Sequence, residues 1–150
     1  MAVGRWGEDP HAMTEPPTLP NAEEDPAGLF AQGVRHWNAR DFFEAHEAWE
    51  ELWHLAFDDH KRWLQGLIQY AGAFVHFERG FFASGFRSLM ASATAKVAGY
   101  TGPRHGLDEE ALQAQLAPWI AYGRDLTDDA AFPEAPAPLP TIVLTNANGP

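Results

Sequence analysis

The middle of the chain repeats apolar side chains every three or four residues, which is the period of an amphipathic α-helix. The first run starts after Asp25-Pro26, an N-cap residue followed by proline at the first helical position, and it ends at Asn38-Ala39-Arg40. A second run opens at Asp41, which makes a capping-box-like pair with Glu44, and continues to about Ala56. No stretch alternates apolar and polar residues for long enough to predict a strand.

Three further helices are expected, over about residues 58–79, 82–97 and 108–123. Asp58 and Asp59 are suitable N-caps for the third helix, and Gly80 is a suitable residue to end it. In the fifth helix, Pro118 should either produce a kink or start a separate short helix. Short connections favour antiparallel neighbours, so the predicted fold class is all-α, a compact bundle of about five helices.

The third predicted helix is largely apolar, since Trp63–Phe77 contains no formally charged side chain. Such a helix is either buried on every side or lies in a membrane. Spanning a bilayer takes about 20 apolar residues, and this stretch is shorter and is interrupted by Gln65, Gln69 and His76. We therefore expect the third helix to be the centre of the bundle and not a membrane span.

The two ends of the chain are rich in proline and poor in apolar residues. Segments of this composition bury too little apolar surface to offset the entropy of ordering them. We therefore predict extended or disordered tails at residues 1–24 and 131–150, on either side of a single helical domain at 25–130. One exception is Leu139–Leu144, LPTIVL, which is apolar enough to dock on the domain as an extended strip.

The overall composition excludes several classes of function. A formal net charge of −11 argues against nucleic acid and anionic lipid as partners, because both require basic patches. The sequence contains no cysteine, which excludes disulfides, Cys-rich zinc sites, iron–sulfur clusters and thiol catalysis. Residues 1–17 lack the apolar core of a secretory signal. We expect a cytoplasmic protein that binds neither nucleic acid nor membrane.

Candidate chemistry lies on the second predicted helix, where HEAWEELW places His46, Glu50 and Trp53 on one face. The HExxH zinc signature is absent, because its second histidine is replaced by Glu50. Trp49 indicates that this face looks into the core, whereas Glu47 falls on the stripe expected to face solvent. A buried carboxylate is costly unless it is paired or bound to a cation, so a buried His/Glu centre requires a partner.

The third helix supplies a polar stripe at the same spacing, made of Gln65, Gln69 and His76. In an antiparallel hairpin the two polar stripes would meet. We predict His46, Glu50 and His76 as ligands of one divalent ion: zinc, nickel, manganese or iron(II). The residues predicted to surround and orient these ligands are Gln65, Gln69 and Trp53.

Two hypotheses follow from this polar centre. In the first, the protein holds a single metal ion and acts as a hydrolase, in which Glu50 is a ligand or the general base for a metal-activated water. In the second, the same residues form a structural hydrogen-bond network, and the protein is a non-catalytic interaction module or a homodimer. The sequence leaves open whether the protein is an enzyme, indicates no cofactor besides the metal, and names no small-molecule ligand.

The stretch WNARDFFEAHEAWEELW, followed by WLQGLIQYAGAFVHFERGFFASGFRSL, resembles a small all-helical prokaryotic family, domain of unknown function 309. The family hallmark, His-x-x-x-Glu-x-x-Trp or Tyr, matches His46, Glu50 and Trp53. A Gln-Gly-Leu-Ile-Gln segment and a later histidine match Gln65–Gln69 and His76. The resemblance covers about residues 28–100. It implies a helical bundle and a metal-binding role for the hallmark, and it implies no particular reaction.

Overall fold

The computed structural model describes residues 20–126 and 134–145. Within these ranges the chain forms five α-helices: α1 Pro26–Asn38, α2 Phe42–Leu55, α3 Asp58–Glu78, α4 Arg87–Val97 and α5 Glu109–Asp125. A π-helix, Phe82–Phe86, leads directly into α4. The predicted all-α bundle is confirmed, and none of the helices in the described ranges has the length and apolarity needed to cross a membrane.

Only some of the predicted N-cap residues cap their helices in the structure. The Asp25 carboxylate accepts a hydrogen bond from the Gly28 N–H at 2.9 Å, as expected for the N-cap of α1. Asp41 occupies the N-cap position of α2 but makes no side-chain capping bond, so the predicted capping box is wrong there. Its carboxylate lies instead 3.8 Å from Nδ1 of His36. At α3, Asp58 lies in the first turn and is not the cap.

α3 is the central helix of the bundle, as predicted. It packs against α2, α4 and the π-helix, and side chains such as Trp63 and Phe74 are fully buried on it. The expectation that α3 is buried on every side is too strong, because Gln65, Gln69 and His76 are only partly buried. The polar stripe of α3 therefore lies along a flank that solvent reaches.

Among the described residues, most of the largest fully buried side chains are aromatic, and they include four tryptophans, Trp37, Trp49, Trp63 and Trp119. α5 contributes Trp119, whose ring lies edge-on to Phe74 at 5.1 Å between centroids. α5 continues without interruption through Pro118, so the alternative of a separate short helix is wrong.

Residues 139–145 form an extended segment on the bundle, here called the C-terminal strip. The Asn38 side chain, at the end of α1, donates to the Ile142 carbonyl at 2.9 Å and accepts from the Ile142 N–H at 2.8 Å. Leu144 forms an antiparallel bridge with Leu107, in the connection before α5. The prediction that LPTIVL docks on the domain is confirmed. The predicted tails also include residues 1–19, 131–133 and 146–150, which lie outside the described residues, as do residues 127–130 at the end of the predicted helical domain.

Candidate functional site

The candidate ligands of α2 lie on the flank of the helix. The His46 side chain is 29% exposed, and Glu50 is also only partly buried. Among the described residues, no polar or charged residue is fully buried. The prediction that His46 and Glu50 form a buried centre is therefore wrong, because both side chains are partly exposed. The reason is geometric: each residue turns an α-helix by about 100°, so His46 and Glu50 are rotated away from Ala45 and Trp49, which do face the core.

The structure adds a carboxylate that the sequence analysis assigned to the solvent stripe. Glu47 is 50% exposed, as expected, but its Oε2 lies 3.2 Å from Nδ1 of His46. One ligand atom from each of His46, Glu47 and Glu50 lies within 4.8 Å of the other two. The signal was present in the sequence, because Glu47 and Glu50 are three residues apart and so are neighbours on a helix surface.

One ring contact orients the imidazole of this group of three. The Phe43 ring stacks on the His46 ring, with 6.0 Å between their centroids, and restricts its orientation. Two carboxylates beside one imidazole make the site locally negative, which favours a bound cation. The chemistry available here is cation binding through one nitrogen and two oxygen ligands.

Trp53 lies one turn beyond Glu50 on the same helix. The Lys61 ammonium is 4.4 Å from the centre of the Trp53 ring, at the start of α3. Gln65 borders the same surface depression as Trp53 and Lys61. Trp53, Lys61 and Gln65 thus line one surface depression, and the role of Trp53 and Gln65 around a metal site stays a prediction.

His76 and Gln69 occupy the polar stripe of α3. His76 packs against Phe81, 5.9 Å between ring centroids, and against Gly85, where an added Cβ would lie 2.6 Å from the imidazole. Neither His76 nor Gln69 belongs to the group of close ligand atoms on α2. Their participation in a shared centre therefore stays a prediction.

Several polar atoms at these positions are buried without a hydrogen-bond partner. In the described part of the chain there are four such side-chain atoms, and three belong to residues that the sequence analysis selected: Trp53 Nε1, Gln69 Oε1 and His76 Nδ1. A buried donor or acceptor left unpaired costs about 1–3 kcal/mol. The three atoms lie on α2 and α3 at different levels, since Trp53 is near the α2–α3 turn and His76 is in the last turn of α3.

A second cluster, which the sequence analysis missed, connects the first turn of α3 to the α4–α5 loop. His60 Nε2 lies 3.2 Å from His105 Nε2, and His60 Nδ1 lies 2.8 Å from the Tyr100 hydroxyl oxygen. Burial lowers the pKa of both imidazoles, and the neighbouring His60 lowers the pKa of His105 further. Their separation of 45 residues explains why no local pattern reveals this pair.

The fold and the site define the class of protein: a small all-helical domain whose candidate ligands lie on a two-helix hairpin. The model of the family described as domain of unknown function (DUF309) matches residues 30–87. This match confirms, over residues 30–87, the resemblance to DUF309 that the sequence indicates. No curated protein matches the chain.

Proposed function

We propose that this protein binds one divalent metal ion on α2 through His46, Glu47 and Glu50. The observation that carries the proposal is the mutual distance of their ligand atoms, all within 4.8 Å. The 3.2 Å between His46 Nδ1 and Glu47 Oε2 is close to the edge of about 3.4 Å between two ligands of a tetrahedral ion. Because Glu50 is a flexible and partly exposed side chain, rotation about its own bonds can close the remaining gap.

The donor set agrees with the metals expected from the sequence. One imidazole and two carboxylates suit zinc, manganese or iron(II). Three protein ligands leave room for a water molecule, as in catalytic metal sites. When bound, such an ion would lower the pKa of that water and make it a nucleophile at neutral pH. The proposed reaction class is hydrolysis, in which the second oxygen of Glu50 is available to accept a proton.

His76 is proposed as a further ligand or as a hydrogen-bond donor to the bound water. Its Nδ1 is buried and has no partner. α2 and α3 pack against each other and are joined by only residues 56–57, so they run antiparallel. In such a hairpin His76, in the last turn of α3, lies farther from the α2–α3 turn than His46 does, so its role is tested separately from that of the three α2 ligands.

Metal binding is tested with protein purified without an affinity tag. We expect elemental analysis and titration calorimetry to show one equivalent of zinc or manganese, because three ligand atoms lie within 4.8 Å of one another. Each of His46→Gln, Glu47→Gln and Glu50→Gln is expected to weaken binding at least about tenfold, since loss of even an outer partner of a metal site has an effect of that size.

The matched control is His54→Gln, which removes an exposed imidazole from the same helix and should leave the affinity unchanged. Equal affinities for His46→Gln and the native protein would contradict the proposal. His76→Gln tests the proposed role of His76 separately: an unchanged affinity and an unchanged metal spectrum would remove His76 from the site without affecting the other three ligands.

A second candidate function, an interaction module that forms a homodimer, is favoured by exposed apolar side chains at the α2–α3 turn. Phe57 is 78% exposed and Leu55 is 47% exposed. This candidate predicts that light scattering gives twice the chain mass of 16.6 kDa, and that Phe57→Ser restores the single mass because it removes apolar contact area. A monomer at every accessible concentration would contradict it.

A further inference from the structure

The α4–α5 loop, residues 98–108, places His105 beside His60 of α3. From this geometry we propose that His60 and His105 chelate a borderline transition-metal dication, such as Cu²⁺, Zn²⁺ or Ni²⁺, through their two Nε2 atoms. These atoms are 3.2 Å apart, close to the edge of about 3.3 Å between two nitrogen ligands of a tetrahedral ion. The site involves none of the α2 ligands and is independent of the function proposed for them.

Hydrogen bonds determine which nitrogen of His60 carries the proton. The Tyr100 hydroxyl donates to the Pro103 carbonyl at 2.7 Å, so its oxygen is left to accept from the Nδ1–H of His60 at 2.8 Å. In the neutral ring, Nε2 of His60 therefore presents a lone pair toward His105. Without a metal, His105 Nε2–H donates to that lone pair. Metal binding needs only the other neutral tautomer of His105, with its proton on Nδ1, and releases no proton overall.

The second ring nitrogen of His60 is hydrogen-bonded as in known metal-binding histidines, and both rings of the pair are packed against aromatic neighbours. Such histidines usually donate their second ring N–H to an oxygen, which orients the ring and makes the ligating nitrogen more basic; the Tyr100 hydroxyl takes this role for His60. The His105 ring stacks on Phe30, with 4.9 Å between centroids, and the His60 ring stacks on Trp63 at 5.8 Å. Both rings are thus held in place before an ion arrives, which reduces the entropy lost on binding.

Charges of both signs surround the pair. Glu109 accepts from Trp63 Nε1 at 2.9 Å and from Arg104 Nε at 3.2 Å, so the guanidinium has a carboxylate partner. At the Tyr100 hydroxyl, whose pKa is raised mainly by burial, Arg104 lowers the pKa more than Asp59 raises it. The imidazole nitrogens, and not the local charge, therefore carry the proposal. Both imidazoles are partly exposed, so water can complete the coordination. Two imidazoles with no carboxylate ligand favour Cu²⁺, Ni²⁺ or Zn²⁺ over Mg²⁺, Ca²⁺ or Mn²⁺.

The test is electron paramagnetic resonance of Cu²⁺ bound to the tag-free protein. It is performed in the His46→Gln background, which removes the site proposed on α2, so that the two proposals fail or succeed separately. We expect one bound Cu²⁺ whose signal shows coupling to two nitrogens. His60→Gln and His105→Gln, each added to this background, should reduce the coupling to at most one nitrogen and weaken binding at least about tenfold.

Tyr100→Phe keeps both ligands and should weaken Cu²⁺ binding about 10–100-fold while retaining the two-nitrogen signal. The proposal is overturned if the starting protein shows no two-nitrogen signal, or if that signal survives in both His60→Gln and His105→Gln. Because either substitution can impair folding, native protein is also titrated with Zn²⁺ and followed by NMR. The ring resonances of His60 and His105 should shift together before those of other histidines. Unshifted rings at saturation would overturn the proposal as well.

Discussion

Replacing Ile142 with alanine is expected to lower the free energy of unfolding by about 2–5 kcal/mol, the range for a truncated and fully buried isoleucine. Ile142 is only 4% exposed and is part of the hydrophobic core. Its backbone N–H and C=O are both bonded to the Asn38 side chain. Alanine keeps these two bonds, so the C-terminal strip stays in register and the missing side-chain atoms leave a cavity.

The neighbouring Val143 supplies the control for this substitution. Val143 is 53% exposed, and Val143→Ala should change the free energy of unfolding by no more than about 0.5 kcal/mol. Urea denaturation followed by circular dichroism measures both variants. If the two substitutions had equal effects, the C-terminal strip would not be docked as described.

Gly33→Ala is expected to destabilise the protein by about 1–3 kcal/mol, although alanine normally stabilises the middle of a helix by about 0.5–1 kcal/mol relative to glycine. A Cβ at position 33 would lie 2.2 Å from Nε1 and 2.6 Å from Cδ1 of Trp49. The indole cannot move aside easily, since it is fully buried and donates to the Phe30 carbonyl at 3.2 Å. Overpacking therefore outweighs helix propensity.

Gly72→Ala, in the middle of α3, is the matched control. The nearest atom to an added Cβ there is Leu89 Cδ1 at 3.3 Å, which is the end of a flexible side chain. This substitution should be neutral or stabilise the protein by up to about 1 kcal/mol. Thermal unfolding should show a lowered midpoint for Gly33→Ala and an unchanged or raised midpoint for Gly72→Ala. A stabilised Gly33→Ala variant would show that α1 and α2 are not as closely packed as the structure indicates.

The helices could be predicted because their signals are local. Apolar period, capping residues and helix-ending glycines act within a few residues, and α1 accordingly begins after Asp25 and α3 ends before Gly80. The capping box at Asp41 was wrong because its carboxylate makes no bond to an N–H of α2 and lies instead near His36 at the end of the preceding helix.

The candidate site was predicted in part for the same reason. Helical spacing was sufficient to place His46 and Glu50 on one face of α2, and the structure does keep their ligand atoms close. Helical spacing could not determine how deeply that face is buried, because burial depends on how far the neighbouring helices cover the flank. Glu47 was missed because its reach to His46 depends on side-chain rotamers, which a residue pattern does not specify.

By itself, the sequence determined the all-α class, the approximate helix ranges, the apolar central helix, the resemblance to DUF309 and the selection of His46, Glu50 and Trp53. Only the tertiary structure decided how far solvent reaches that site and the meeting of His60 with His105. The physical reason is the distance along the chain over which each kind of interaction acts. Backbone hydrogen bonds and helix periodicity act over three or four residues, whereas the His60–His105 contact joins residues 45 positions apart and depends on the packing of every segment between them.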